Sequence, residues 1–266
     1  MSANSDEYKN SDKKKISDNC RIAKFLSRIG LCSRRKAEEY IKQGRISVDN
    51  HVIDTPATFV NNDCVIKFDG KIIENISQTR LWIFHKPVNT ITSNHDQQAR
   101  TTIFDLLPKN MPRVITVGRL DYNTEGLLLL TNNGELSRYM ELPSNGWIRR
   151  YRVRVFGELN INKLTSLKNG ITIDGVKYGK IIVEYDKDKI KDALHNNNSK
   201  NNWLTVSLSE GKNREIRKIM QHFGLQVNRL IRIEFGPFKL ADLKPQKIQE
   251  VDKKTLKTYF PDNIIS

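Results

Sequence analysis

Residues 118–130, with the sequence GRLDYNTEGLLLL, carry a carboxylate from a glycine-bounded turn directly into a run of four leucines. A short apolar run beside turn residues is typical of a buried strand. An ionisable side chain at the mouth of a buried element is energetically costly, and structure alone seldom requires it. We therefore interpret Asp121 as the best candidate for a catalytic group. The alternative interpretation is that Asp121 caps a turn and that Arg119 is its surface partner.

The segments on both sides of this turn have strand and helix patterns. Further strands are predicted where apolar runs or alternating patterns occur, at residues 81–84, 114–117, 151–155, 203–208 and 230–235. Every second residue in 150–155 is arginine, so this strand has one apolar and one cationic face. Apolar residues from Ile216 to Phe223 follow helical spacing, and Gly224 is expected to end the helix. The polar stretch 186–202 is expected to form a loop.

A smaller module precedes this region. Two short amphipathic helices are predicted there, the second capped by Ser33, followed by a small antiparallel sheet. A polar linker at 74–80 separates this module from the rest. The predicted organisation is a disordered basic arm at 1–19, a small domain at 20–74, a larger domain at 80–252 and a C-terminal tail at 253–266.

The charge of the chain limits its class of partner. The 266 residues have a formal net charge of +15, which favours a polyanion, and nucleic acid above all. The sequence has no apolar run of membrane-spanning length and no secretory signal, so we expect a cytoplasmic protein that does not bind membranes. The three cysteines lie far apart without a CxxC pair, which argues against a zinc site or a disulfide framework.

The small module concentrates positive charge. Residues 21–45 contain eight Lys or Arg residues against two Glu residues. A continuous cationic face of this kind suits the phosphates of structured RNA, although a solvated basic face is the simpler explanation. The residues predicted to contact RNA are Arg21, Lys24, Arg28, Arg34, Arg35, Lys36 and Arg45.

The module also resembles a known domain. Its sequence RIAKFLSRIGLCSRRKAEEYIKQGRISVDNHVI is similar to the S4 RNA-binding domain, including the Ser-Arg pair that opens the second helix. Four later motifs, in order, resemble the RsuA/RluB family of ribosomal RNA pseudouridine synthases. They are FHKP at 84–87, GRLDYNTEG at 118–126, IRRYRV at 148–153 and EGKNREIRK at 210–218. Arg149 stands where the third motif usually has lysine, and the Thr-Glu-Gly after Asp121 is typical of the RluB branch, which acts on the large subunit.

The resemblance implies an α+β fold. A small S4 domain would precede a larger pseudouridine synthase domain, built on a mixed, mainly antiparallel β-sheet with flanking helices. It also implies a uridine of 23S ribosomal RNA as the substrate, in free RNA or in a pre-ribosomal particle, and a monomeric enzyme. Two alternatives remain open: a synthase that acts on 16S ribosomal RNA, and a non-catalytic S4-type RNA-binding or ribosome-assembly factor.

The chemistry of this isomerisation assigns roles to individual residues. The bond from C1′ to N1 must break, the uracil must rotate while bound, and C1′ must join C5. Asp121 is the expected carboxylate, whether it attacks the sugar, forms an ester or assists loss of the 2′ proton. A carboxylate in a dry pocket needs a cation beside it, and the family's pairing implies Arg217, with Arg119 as the second choice.

The uracil and its nucleotide need further contacts. Tyr151 is expected to stack on the base and to act in catalysis, while Ile216 closes the opposite side of the ring. Arg119 and Lys86 are expected to help bind the flipped nucleotide. The reaction is redox-neutral, and the chain contains neither a phosphate-binding loop nor a metal-ligand set, so no cofactor and no metal are expected.

Overall fold

Two separately packed units make up the chain, Met1–Ser77 and Gln78–Ser266. The computed structural model describes residues 19–61, 63–73, 78–93, 96, 98–185 and 201–265. The predicted N-terminal arm and most of the predicted 186–202 loop lie outside these residues. The division between the units falls within the stretch interpreted as the linker.

The helices of the smaller unit form where the apolar spacing predicts them. Helix α1 (Ile22–Arg28) buries Phe25 and its apolar neighbours, and α2 (Arg34–Lys42) follows after a short turn. The hydroxyl oxygen of Ser33 accepts a hydrogen bond from the amide of Lys36 at 3.2 Å, which confirms the predicted cap. Both helices therefore turn their apolar stripes toward one small core.

The smaller unit also contains the predicted antiparallel strands. Strand β1 (Cys20–Arg21) pairs with β4 (Phe59–Val60). A four-stranded sheet has the order β3-β2-β5-β6. Its strands are β2 (Ile46–Val48), β3 (His51–Val52), β5 (Ile66–Phe68) and β6 (Lys71–Ile72).

One mixed sheet organises the larger unit. Nine of the described strands form it, in the order β13-β14-β10-β15-β9-β7-β17, with β8 paired to β9 and β16 paired to β15. These strands are β7 (Leu81–Lys86), β8 (Ile115–Val117), β9 (Glu125–Thr131), β10 (Arg149–Phe156), β13 (Ile181–Tyr185), β14 (Asn201–Leu208), β15 (Gln226–Phe235), β16 (Phe238–Lys239) and β17 (Ile248–Glu250). Only the pair of β9 and β15 is parallel among these described strands, so the sheet is mainly antiparallel, as predicted.

The four leucines after Asp121 lie at the centre of this sheet. Leu128 and Leu130 pack on one face with residues of β10 and β14, whereas Leu127 and Leu129 pack on the other. All four leucines are fully buried, because helices or loops cover both faces of β9. This explains why the run shows no polar alternation.

The remaining elements flank the sheet. The described helices are α3 (Gly134–Glu141), α4 (Ile161–Thr165), α5 (Glu215–His222), α6 (Lys253–Tyr259) and α7 (Asp262–Ile265). A two-stranded hairpin joins β11 (Ile171–Ile173) to β12 (Val176–Tyr178). No helix within the described ranges is both long and apolar enough to cross a membrane.

Two boundaries differ from the sequence prediction. Residues 253–265 belong to the fold of the larger unit rather than to a tail, because Leu256 and Phe260 are buried in its second core cluster. Asp252 caps α6 by accepting a hydrogen bond from the amide of Thr255 at 2.8 Å. Strand β14 begins at Asn201, two residues earlier than predicted, because its first residues pair with the end of β10.

Candidate active site

An open cleft of about 880 Å³ lies in the larger unit. Its lining includes Arg119, Asp121, Tyr151 and Ile216, which come from three separate parts of the sequence. These are four of the six residues of this unit that were predicted from the sequence to be catalytic or to bind the substrate. The other two, Lys86 and Arg217, are not among the residues that line the cleft.

Hydrogen bonds to main-chain carbonyls hold Asp121 in a tight turn. The carbonyl of Asp121 accepts from the amide of Thr124 at 3.0 Å. On one side, the hydroxyl of Thr92 donates to the carbonyl of Leu120 at 2.9 Å. On the other side, the amide of Asn89 donates to the carbonyl of Tyr122 at 2.9 Å. The side chain of Asp121 remains 34% exposed and faces the cleft from this fixed turn.

The cation that contacts Asp121 is Arg214, not the expected Arg217. Nη1 of Arg214 lies 3.9 Å from Oδ2 of Asp121. The two ends of the Arg217 guanidinium instead donate to the carbonyls of Val227 at 3.0 Å and Asn123 at 2.9 Å. Burial lowers the pKa of Arg217, Arg214 adds to this shift, and Asp121 opposes it. Arg217 therefore acts on Asp121 electrostatically and through the turn, without a direct ion pair.

Lys86 supports the same turn from within the protein. It is fully buried on β7, and its ammonium group donates to the carbonyls of Thr124 at 2.9 Å and Pro87 at 3.0 Å. Burial lowers the pKa of Lys86 to about 8, although the carboxylates of Asp121 and Glu125 oppose this shift. Because its side chain is enclosed, Lys86 positions the turn and does not offer the substrate contact that the sequence analysis expected.

Two apolar groups and one exposed cation complete the predicted set. Tyr151 on β10 is only 9% exposed, and Ile216 near the start of α5 is buried as well. Both residues line the cleft, as does Arg119, which is exposed. The cleft lining thus combines two buried residues, Tyr151 and Ile216, with Asp121 and with a cationic group at an exposed position.

The Glu-Gly pair after the turn attaches β9 to β15. Nε of Arg229 donates to Oε1 of Glu125 at 2.5 Å. Gly126 has a φ of +106°, and a Cβ atom there would lie 2.3 Å from the carbonyl oxygen of Arg232. Only glycine permits so close an approach of the two backbones. The glycine inside a predicted strand was the available signal for this contact.

Three buried charged residues of the cleft wall were not predicted as site residues. Nη1 of Arg149 donates to the carbonyls of Ser209 and Glu210, and burial lowers the pKa of its guanidinium. Glu215 accepts from the amide of Lys212 at 2.8 Å, and burial raises the pKa of its carboxyl group. Arg232 is the third. Arg232 lies on the same inward face of β15 as the buried Leu230, two residues earlier. The alternation of this strand could therefore have predicted that Arg232 is buried.

The cations of the smaller unit differ in their surroundings. Arg21, Arg34 and Arg35 are exposed. Lys36 is exposed too, and it pairs with Glu39 at 2.6 Å. Arg45 binds both carboxylate oxygens of Asp69, at 2.8 and 2.5 Å, so part of its charge is already compensated. The remaining predicted RNA contacts, Lys24 and Arg28, are half-buried on α1.

The charged side chains of the cleft do not form a metal site. Among the residues whose positions are described, no group of three or more His, Cys, Asp or Glu side chains could hold a metal ion.

Comparisons with known proteins agree with this architecture. The family described as RNA pseudouridylate synthase matches residues 80–222, and the S4 domain matches residues 20–63. A solved structure described as a pseudouridylate synthase shares the fold with a TM-score of 0.62 at 20% identity. That alignment covers 89% of this chain and 98% of the other.

Other relatives have higher sequence identity to this chain. An uncharacterized RNA pseudouridine synthase of Rickettsia prowazekii is 46% identical over 89% of this chain and 96% of the relative. The ribosomal large subunit pseudouridine synthase B of Buchnera aphidicola subsp. Schizaphis graminum is 37% identical over 90% of this chain and 91% of the relative. The chain therefore belongs to the RNA pseudouridylate synthase family, and within it to the RsuA/RluB group.

Proposed function

We propose that the protein converts a specific uridine of 23S ribosomal RNA into pseudouridine, with Asp121 acting on the ribose of a flipped-out nucleotide. The observation that carries this proposal is the single cleft in which Asp121, Tyr151 and Ile216 meet. The name of the Buchnera relative supports the large subunit as the target. Cytoplasmic ribosomal RNA, free or in a pre-ribosomal particle, is then the partner of a monomeric enzyme.

Asp121 supplies the carboxylate that the isomerisation needs. Its turn is fixed by hydrogen bonds to the backbone, and Nη1 of Arg214 lies 3.9 Å from its carboxylate. The carboxylate either adds to the sugar or removes the 2′ proton, and in each case the electron pair of the C1′–N1 bond leaves with the uracil. A preformed turn lowers the barrier because the reacting group needs no reorganisation.

Tyr151 and Ile216 hold the uracil while it is detached. A flat aromatic ring permits the base to rotate in its own plane, and stacking of this kind contributes about 1–3 kcal/mol. Ile216 covers the opposite side with an apolar surface that makes no directional hydrogen bond. The uracil can therefore turn until C5 faces C1′. As the C1′–C5 bond forms, the bond from Asp121 to C1′ breaks, or C2′ regains its proton in the other route, and the C5 proton then passes to solvent while N1 is protonated.

The RNA must be held while its target base leaves the stack. Extrusion of a base costs a few kcal/mol. Contacts between phosphates and cations offset this cost, and they depend on salt because they release counterions. Arg119 beside the cleft, and the exposed Arg21, Arg34 and Arg35 of the smaller unit, are suited to this role.

Tritium release tests the catalytic assignment. Ribosomal RNA carrying 5-tritiated uridine loses tritium to water only if C5 bonds to C1′. We expect Asp121→Asn to abolish this release while the affinity for the RNA stays within a few fold. The matched control is Asp242→Asn, which removes an exposed carboxylate outside the cleft lining and leaves the rate unchanged. Turnover by the Asp121→Asn variant at the wild-type rate would refute the proposal.

Pseudouridine mapping separates the proposal from its alternatives. Ribosomal RNA from cells with and without the protein is compared at nucleotide resolution. A modification that disappears from 23S RNA supports the proposal, and one that disappears from 16S RNA corrects its target. If RNA binding persists but no site changes, the protein is a non-catalytic RNA-binding or assembly factor.

A further inference from the structure

Arg232 is a buried cation of the cleft wall that has no part in the proposed reaction so far. The residue is only 2% exposed, and its Nε donates to the carbonyl of Leu127 at 2.7 Å. Its Nη2 is buried and has no hydrogen-bond partner within the described part of the chain. Buried charges are normally paired, because an unpaired one loses its hydration without compensation. A guanidinium that lines a cleft and keeps one nitrogen without a hydrogen-bond partner therefore points to a ligand.

The strand register places Arg232 beside Tyr151. In the antiparallel pair of β10 and β15, Tyr151 lies directly opposite Arg232. Side chains at opposed positions have Cβ atoms about 4.5–5.5 Å apart on the same face of a sheet. A base in contact with the ring of Tyr151 is thus within reach of the Arg232 side chain.

A second contact joins Arg232 to the turn of Asp121. In the parallel pair of β9 and β15, Arg232 lies opposite Gly126, whose missing Cβ allows the backbones to touch. Gly126 follows Asp121 by five residues in the same short segment. Arg232, Asp121 and Tyr151 therefore stand in a fixed arrangement around one cleft.

The chemistry of the guanidinium selects its ligand. Arginine offers only donors, so the partner must present an acceptor. A phosphate is the usual choice at an exposed site, and Arg119, Lys212 and Arg214 are the more exposed cations of this cleft. At the buried position of Arg232, the acceptors that an inserted uridine brings are the carbonyl oxygens at C2 and C4 of its base. Cytosine replaces the second of these with an amino group, which a guanidinium cannot bind.

We propose that Arg232 recognises the uracil ring by donating a hydrogen bond from Nη2 to one of its two carbonyl oxygens. This assignment rests on the proposed function. When the C1′–N1 bond breaks, its electron pair passes to the uracil and spreads over N1 and the carbonyl oxygens. A fixed guanidinium stabilises that negative charge, which disappears when C5 uses the electron pair to bond C1′. The C5 proton then leaves and N1 takes up a proton, so the product is neutral.

Atomic substitution in the substrate tests this contact. Short RNAs are made around the uridine identified by mapping, with uridine, 2-thiouridine or 4-thiouridine at the target, because sulfur is a weaker acceptor than oxygen. Single-turnover conversion is measured for the wild type and for Arg232→Met. We expect Arg232→Met to slow conversion of the uridine RNA by about 10- to 100-fold, as for a lost charged hydrogen bond. We expect one of the two sulfur substitutions to slow conversion by the wild type. The same substitution should not slow conversion by Arg232→Met any further, because that variant already lacks the hydrogen bond.

Two further variants control for folding and for charge. Lys257→Met removes an exposed positive charge on α6 and should match the wild type in rate and in sensitivity to sulfur. If Arg232→Met does not fold, Arg232→Lys keeps the charge and enters the same comparison. The proposal is overturned if 2-thiouridine slows conversion by the same factor in the wild type and in the Arg232 variant, and 4-thiouridine does so too. No conversion of the uridine RNA by the wild type would instead overturn the proposed function, and this assignment with it.

Discussion

Replacement of Gly126 by alanine should weaken the larger unit through two separable effects. The first is backbone strain, because a φ of +106° is a conformation that L-residues rarely adopt, and such strain amounts to about 1–3 kcal/mol. The second is a collision of the new Cβ, which would lie 2.3 Å from the carbonyl oxygen and 2.8 Å from the amide nitrogen of Arg232. Relief requires β9 and β15 to separate by about 1 Å, and overpacking of this kind adds about 1–3 kcal/mol.

The expected loss is therefore about 2–6 kcal/mol in the free energy of unfolding. For a unit of this size each kcal/mol lowers the melting temperature by about 2–4 °C, so Gly126→Ala should melt at least about 4 °C lower. Tryptophan fluorescence is the suitable probe, since all three tryptophans, Trp82, Trp147 and Trp203, belong to the larger unit. The matched control is Gly175→Ala in the β11–β12 turn, where φ is +74° and nothing lies within 4 Å of the added Cβ.

The Gly175→Ala control separates the effect of the Cβ collision from the effect of backbone strain. Gly175→Ala carries strain alone, about 1–2 kcal/mol, and should retain full activity. Gly126→Ala should also lose activity at temperatures where it is still folded, because β9 directly follows the Asp121 turn and β15 carries Arg232. Equal melting temperatures for the two variants would refute the close approach of β9 and β15.

Two further predictions concern the groups that hold the turn. The folded-state pKa of Lys86, about 8, lies below its unfolded value of 10.5, so between these values the unfolded chain binds more protons and stability rises with pH. The free energy of unfolding can be measured by urea unfolding followed by tryptophan fluorescence. From pH 8 to pH 10 its value for the wild type should rise relative to that of Lys86→Met by up to about 1.4 kcal/mol per pH unit. If the difference between the two proteins does not change with pH, the ammonium group of Lys86 is not buried as described. Arg217→Met should lower stability by about 2–4 kcal/mol, because it leaves the carbonyls of Asn123 and Val227 without their donor, whereas Arg214→Met should cost about 1 kcal/mol or less. Both variants should slow tritium release, and equal destabilisation by the two would argue against the contacts assigned to Arg217.

Much of the fold could be predicted because its elements have clear periodicity. The leucine run of β9, the alternation of β10 and the apolar stripe of α5 each identify an element and its buried face. Helix α6 was missed because seven residues with one buried leucine give too weak a pattern. Its cap at Asp252 was the stronger signal.

The candidate site was predictable in its residue types and less so in its contacts. Asp121, Tyr151 and Ile216 were placed together by motifs, and the cleft contains all three. Arg214 and Arg217 lie one helical turn apart, so spacing alone cannot decide which of them meets Asp121. The decision depends on carbonyl acceptors at Asn123 and Val227, which come from distant parts of the chain. The role of Arg232 likewise depends on strand register, which the sequence does not reveal.

Three of the hydrogen bonds that hold the Asp121 turn end on main-chain oxygens. The carbonyls of Tyr122, Asn123 and Thr124 accept from a neighbouring loop, from α5 and from β7, while the side chains of Tyr122 and Asn123 remain exposed. These three hydrogen bonds do not depend on which side chains occupy positions 122 and 123. Evolution, or an engineer, can therefore exchange these two side chains while the carboxylate of Asp121 keeps its place.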